Sequence, residues 1–290
     1  MGLAALGRPS YITVGRDHDL GNDRSVEALE RRSHDVLSGA FELGVRYFDA
    51  ARSYGLAEHF LASWLRKRGF APHAVTVGSK WGYTYTGNWQ VHAKVHEVKD
   101  HSQTALNRQI AESRAILGDF LDLYQVHSAT IESGILENRE VLSALNQLRG
   151  SGLTIGLTVS GPRQAELISR ALKLDVDGIN PFQCVQATWN VLEPSSGAAL
   201  AEAHAAGWGV IIKEALANGR LAARDQVAIA AVLANPWVDV VLSGAVTREQ
   251  IASNIGAIDV ELPEQVRADL ARLAEPAEQY WKERSDLPWA

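Results

Sequence analysis

Eight short apolar runs alternate with longer amphipathic stretches, and that alternation limits the fold more than any other feature of the chain. The runs cover 11–15, 44–49, 75–80, 121–127, 153–159, 178–186, 209–215 and 238–244. Successive starts lie roughly 25 to 45 residues apart, the length of a strand, a helix and two loops. Most runs lack polar alternation, as strands covered on both faces do. Helix-like segments fall between them at 57–68, 102–117, 136–149 and 162–172. In the last, Pro162 stands at the first helical position, where proline is tolerated. Strict alternation with eight strands predicts an α/β fold, a single (β/α)8 TIM barrel. A doubly wound sheet is the rival, but no G-x-G-x-x-G string follows the first run. No Pro/Gly/Ser-rich linker or charge block interrupts the sequence, so 1–290 reads as one domain. A long loop at about 81–101 and a C-terminal tail at about 275–290 stand outside the repeat.

Composition removes several function classes. Hydrophobic residues at 46% and charged residues at 21% support a large core and argue against disorder. A net charge of -6 argues against a nucleic-acid or anionic-membrane surface. The single cysteine, Cys184, excludes an internal disulfide and fits a reducing cytoplasm. It falls inside a strand-like run, where a thiol is normally buried and inert. The longest apolar runs are strand-sized, so no transmembrane helix is expected. The first nine residues lack a basic stretch before an apolar one, unlike a signal peptide. The expectation is a cytoplasmic monomer or small homo-oligomer acting on a small molecule.

Three runs end in side chains that carry chemistry. The run 44–49 ends in Asp49, and Tyr54 follows five residues later, just before Gly55. The run 75–80 ends in Lys80, and 121–127 ends in His127. In a parallel barrel these C-terminal ends meet at one rim. A phenol has an ordinary pKa of about 10, high for a general acid at neutral pH. A lysine ammonium beside it favours the phenolate and lowers that value. Asp49 then anchors Lys80, and His127 orients a carbonyl toward Tyr54. The set lacks a hydride source, so a nicotinamide must come from outside the chain. Taken singly, the same residues have plainer readings. Asp49 suits a helix cap or a buried ion pair, His127 a core histidine, and Lys80 the Schiff-base lysine of an aldolase.

The segments GVRYFDAARSYGLAE (44–58), VGSKWG (77–82), LDLYQVH (121–127), TIGLTVSG (154–161), VQATWN (185–190), KEALANGRL (213–221) and SGAVTREQIASN (243–254) run in one order along the chain. In that order the sequence resembles the aldo-keto reductases. The resemblance implies a (β/α)8 barrel that binds NADP(H), less often NAD(H), without a Rossmann domain. It also implies reduction of an aldehyde or ketone, or oxidation of the corresponding alcohol or aldose. By position Asp49, Tyr54, Lys80 and His127 match the family's catalytic tetrad. Thr158 and Gln186 match residues that hold the nicotinamide carboxamide, although the family's asparagine reads Val159 here. Lys213 stands where an aromatic usually stacks on the nicotinamide ring. A cation there disfavours oxidised nicotinamide unless Glu214 or a substrate anion neutralises it. Leu216, Asn218 and Gly219 lie in the segment that covers the pyrophosphate. Gly244, Val246 and Thr247 offer backbone amides for the adenosine 2′-phosphate. Arg248 is the one basic residue in 243–254, which makes it the candidate for an NADPH preference. Gln250 replaces a basic position of the family, and Asn254 matches one that contacts adenine. The rival function on the same fold is a redox sensor whose bound cofactor reports to a partner.

The loop at 81–101 carries Trp81, Tyr83, Tyr85 and Trp89, and histidines at 92, 96 and 101. Trp81 and Tyr83 are candidates for the substrate pocket. Although His92 and His96 are four apart, the string is not H-E-x-x-H, and no metal is expected. The aromatic tail either packs across the rim or makes an oligomer contact.

Overall fold

The computed structural model describes residues 1–14 and 19–289. Seven parallel strands form one curled sheet in the order β1, β2, β5, β6, β7, β8, β9. They are β1 (Tyr47–Asp49), β2 (Thr76–Trp81), β5 (Leu123–Ala129), β6 (Thr154–Val159), β7 (Cys184–Thr188), β8 (Gly209–Lys213) and β9 (Val240–Val241). A separate antiparallel pair, β3 (Tyr83–Tyr85) and β4 (Glu97–Lys99), forms from the long loop. Among the described residues are helices α1 (Val26–Glu42), α2 (Ala57–Lys67), α3 (Gln103–Leu117), α4 (Arg139–Gly150) and α5 (Gln164–Leu172). They continue as α6 (Gly197–Ala205), α7 (Asp225–Leu233), α8 (Arg248–Gly256), α9 (Glu264–Ala271) and α10 (Ala277–Ser285).

The apolar runs become strands because both faces are covered. Every residue of β7 is buried, and β2 and β5 are nearly so, as parallel strands under helices must be. Helix α1 turns Leu29, Val36, Leu37 and Ala40 inward. Ser25 starts it by accepting from the Ala28 amide at 3.3 Å, and Ser102 starts α3 in the same way at 3.1 Å.

The expected first strand at 11–15 is not one. Ile12 makes a lone antiparallel bridge to Trp289, and Gly15 lies outside the described residues. Residues 1–3 occupy the place that strand was assigned. Gly2 N donates to Ser243 O at 2.9 Å, and Asp49 N donates to Met1 O at 2.8 Å. Leu3 N donates back to Asp49 O at 2.9 Å. The two edges of the sheet are therefore hydrogen-bonded to the same three residues. Residues 11–14 lie across the mouth instead, with Val14 N donating to Asn218 O at 2.9 Å.

Two local expectations also change. The run 178–186 is strand only over Cys184–Thr188. Its start is a tight turn, because Asp177 and Gly178 both have positive φ (57° and 84°) and join the bridged pair Val176 and Ile179. Pro162 precedes α5, which begins at Gln164 after a turn in which Gln164 N donates to Gly161 O at 3.2 Å. Among the described residues no helix is long and apolar enough to cross a membrane.

Candidate active site

Asp49 ends β1, Lys80 is the fifth residue of β2, and His127 is the fifth of β5. Parallel pairing in this order brings all three to one rim, and Tyr54 reaches the same point from the turn after β1. Lys80 Nζ donates to Asp49 Oδ2 in a buried ion pair and to Ala50 O at 2.9 Å. The other carboxylate oxygen, Oδ1, accepts from Tyr47 Oη at 2.8 Å and from Gln125 and Gln186 Nε2 at 3.3 Å each. A charge pair this deep is tolerated only with such a shell of donors. Tyr54 Oη lies 3.3 Å from His127 Nε2, with the rings edge-on at 5.3 Å between centroids. The Lys80 ammonium is 4.9 Å from the centre of the Tyr54 ring. Ser53 Oγ is 3.4 Å from His127 Nδ1, so each ring nitrogen has a neighbour.

Backbone contacts fix Tyr54. Leu56 N donates to Gly7 O at 2.7 Å. A Cβ on Gly7 would lie 2.3 Å from Tyr54 O, and one on Gly55 would lie 2.5 Å from Gly7 O. Gly55 also has φ 59°. Only glycine meets both demands at that turn.

Burial first, and Asp49 second, hold the Tyr54 phenol well above its ordinary pKa, against an opposing pull from Arg8. The lowering expected from Lys80 does not prevail, because its positive charge is matched by Asp49. Tyr54 is therefore a neutral phenol with a proton to give. Burial, then Lys80, Lys213, Arg8 and His101, hold His127 well below its ordinary value. His127 is accordingly neutral at physiological pH.

Arg8 was not anticipated from the sequence. Its guanidinium is 5.2 Å from the Tyr54 ring centre, 5.1 Å from Tyr11 and 4.8 Å from Trp289. It donates to Ser53 O at 2.9 Å and to Glu97 Oε2 at 2.8 Å. These partners come from distant parts of the chain, and no local motif announces them. The tail packs across the rim: Trp289 stacks on His96 at 4.1 Å, and Asn190 Nδ2 donates to Tyr280 Oη at 3.0 Å. Among the described residues no group of three or more His, Cys, Asp or Glu is placed to hold a metal ion.

Asp49 and Tyr54 open onto a cavity of about 290 Å³ that runs past Gln186 and Lys213 to Gln250 and Asn254. The sequence model of the aldo/keto reductase family matches residues 22–226. The chain belongs to the aldo/keto reductase family. Among solved structures, the aldo-keto reductase AKR11C1 of Bacillus halodurans in its holo form is similar with a TM-score of 0.69. It shares 22% identity, over 89% of this chain and 90% of the other. A protein of Pseudomonas aeruginosa assigned to the aldo-keto reductases has a TM-score of 0.66 at 23% identity, over 89% and 90% of the two chains. At those identities the likeness speaks to the fold. No curated protein matches the chain.

Aldo/keto reductases generally bind NAD(P)H, and the cavity offers such a group both polar and apolar side chains. Gln186, Lys213, Leu216, Asn218, Gly219, Gly244, Val246, Gln250 and Asn254 line it. Asn218 Oδ1 is buried with no hydrogen-bond partner, an acceptor that suits a nucleotide hydroxyl. On these observations the residues fit the cofactor. Three other residues of the expected set are not among those that line it. Thr158 Oγ1 accepts from Ser128 N at 2.6 Å and is fully buried. Thr247 caps α8 by accepting from Gln250 N at 3.2 Å. Arg248 turns outward to Asp35 at 2.7 Å and Glu42 at 2.9 Å. Trp81 is fully buried, while the half-buried Tyr83 lies edge-on to His127 at 5.1 Å.

Beyond β8 a charge cluster joins the tail of the chain to the rim. Arg284 Nε of α10 donates to both oxygens of Glu214 at 3.0 and 2.9 Å, and Nη2 makes a third contact. Thr188 Oγ1 donates to Glu214 Oε2 at 3.0 Å. Burial pushes the Glu214 carboxyl up, but Arg284 and Lys213 outweigh it and bring it to about 2. Burial, partly opposed by Glu214, brings Lys213 down to about 8.

Proposed function

We propose that this protein is a cytoplasmic, NAD(P)H-dependent carbonyl reductase working as one barrel domain, with Tyr54 as general acid. The observation that carries the reading is the Tyr54 hydroxyl, 3.3 Å from His127 Nε2, at the cavity end it shares with the Lys80–Asp49 pair. A bound nicotinamide would supply the hydride. Tyr54 would give its proton to the carbonyl oxygen, and His127, neutral and flanked by Ser53, would hold that oxygen against the phenol. Lys80 would stabilise the phenolate left behind, while Asp49 keeps Lys80 charged and in place. Gln186, bonded to Asp49 and lining the cavity, would position the cofactor's carboxamide. In reverse the same groups would oxidise an alcohol or aldose.

An aldolase reading has less support, since Lys80 is committed to Asp49 and the Ala50 carbonyl. Both nucleotides suit the site. Arg248 is engaged by Asp35 and Glu42, and Asp19 and Asp225 line the far end of the cavity. The Val246 amide is already taken by Gln250 Oε1 at 2.8 Å. These features support NADH at least as well as NADPH. The test is oxidation of both reduced nucleotides against a panel of aldehydes and ketones, with Tyr54→Phe as control. A general acid contributes on the order of 10²–10⁴ in rate. The variant should lose that much turnover and keep its cofactor affinity. A variant retaining more than about a third of wild-type turnover, with chemistry limiting the rate, would remove Tyr54 from the mechanism.

A further inference from the structure

Lys213 ends β8 in the cavity that Tyr54 and Asp49 also line. A hydride donor must reach the carbon of the carbonyl whose oxygen Tyr54 protonates. On the reading given above, the nicotinamide ring therefore lies at this end of the cavity, near the Lys213 ammonium. The ammonium's hydrogen-bonding partners are neutral: Thr188 Oγ1 at 3.0 Å and Ser160 Oγ at 3.4 Å. The nearest carboxylate is Glu214, with Oε1 at 4.0 Å, and it is already clasped by Arg284. Lys213, Glu214 and Arg284 together leave one positive charge. From the other elements packed around it come Lys80 of β2, paired with Asp49 of β1, the neutral His127 of β5, and the Tyr54 phenol.

We propose that Lys213 makes the pocket discriminate between the redox states of the nicotinamide, holding the reduced form and disfavouring the oxidised one. The oxidised ring is a cation and the reduced ring is neutral, while the rest of the nucleotide is the same. A like charge fixed beside the ring therefore acts on one form only. Two unit charges roughly 5 Å apart at an effective dielectric of about 20 interact strongly enough to shift affinity by about a hundredfold. Glu214 offsets part of this, so at least tenfold is expected. The physiological consequence is prompt release of oxidised cofactor after each carbonyl is reduced.

The discrimination is also pH-dependent. Burial brings the Lys213 ammonium to about 8, so it is charged at pH 7 and largely neutral at pH 9.5. Glu214 is ionised throughout that interval, His127 is neutral and Tyr54 is protonated. Affinity for the oxidised nucleotide should therefore rise with pH, while affinity for the reduced nucleotide changes little.

The experiment titrates NADH, NAD+, NADPH and NADP+ into the protein at pH 7 and 9.5, read by tryptophan fluorescence or calorimetry. Wild type, Lys213→Met and Lys213→Arg are compared. The ratio of oxidised to reduced Kd should fall at least tenfold in Lys213→Met at pH 7. It should fall in wild type between pH 7 and 9.5, and stay high at both in Lys213→Arg. An unchanged ratio in Lys213→Met overturns the proposal. Should that variant not fold, a wild-type ratio that does not move with pH overturns it equally. Failure of any nucleotide to bind wild type would instead sink the reductase reading itself.

Discussion

Replacing Glu214 by glutamine is expected to destabilise the protein by about 3 kcal/mol at pH 7. Glutamine keeps the shape of a protonated carboxyl and loses the charge, so the relevant quantity is the advantage of the ionised form. That advantage is the fall of the carboxyl from its ordinary 4.5 to about 2, at about 1.4 kcal/mol per unit. The side chain is only 8% exposed, so solvent does little to screen the pair. An independent expectation agrees, since removing one partner of a buried pair costs about 3–5 kcal/mol. The folded-state pKa is depressed. The contribution is therefore fully present above pH 4.5 and disappears as pH falls through about 2. Linkage leaves about 2 kcal/mol at pH 3.5. Urea unfolding of both proteins, followed by tryptophan fluorescence at pH 7 and 3.5, measures the two gaps. Hydrogen exchange of the α10 amides shows whether the tail loosens before the rest. A gap below about 1 kcal/mol at pH 7, with α10 exchanging as in wild type, would refute the reasoning. So would a gap of the same size at both pH values.

Lys80→Met should abolish turnover, and Asp49→Asn should cost less, because the phenolate needs the ammonium directly and the carboxylate only through it. In the reverse reaction Asp49→Asn should move the limb that reports loss of the Tyr54 proton to lower pH, because the Asp49 charge helps hold the phenol up, and an unmoved limb would take Asp49 out of the mechanism. Arg248→Ala should bind NADPH and NADH within about twofold of wild type, since its guanidinium already serves Asp35 and Glu42. A tenfold loss confined to NADPH, in the same fluorescence titration, would show that Arg248 leaves those carboxylates for the 2′-phosphate.

The meeting of Asp49, Tyr54, Lys80 and His127 at one rim was legible because strand ends are local. An apolar run that stops at Asp49, Lys80 or His127 announces both a strand and the side chain at its tip, and parallel pairing does the rest. The strand at 11–15 was misplaced because its β-like composition could not reveal that residues 1–3 already bond to both sheet edges. Arg8 and Arg284 were invisible for a related reason. Their partners, Glu97 and Glu214, lie 89 and 70 residues away, and an arginine near either end of a chain looks like any solvated charge. The outward turn of Arg248 depends on Asp35 and Glu42 of α1, more than 200 residues away in the chain. Gln186 and Lys213 do line the expected cavity, because each is fixed by the strand that carries it.

The close approach of Gly7 and Gly55 bears on how this protein can be altered. The backbone of Tyr54 is located by carbonyl and amide positions, and its ring rests on the polar side chains of His127, Arg8 and Lys80. Repacking the apolar residues around it should therefore erode stability long before it displaces the phenol oxygen, and pocket walls can be redesigned with the acid left in register. The two glycines invert that tolerance. A single methyl group at either would push on the backbone that carries the reacting hydroxyl, in a chain that could otherwise remain well folded.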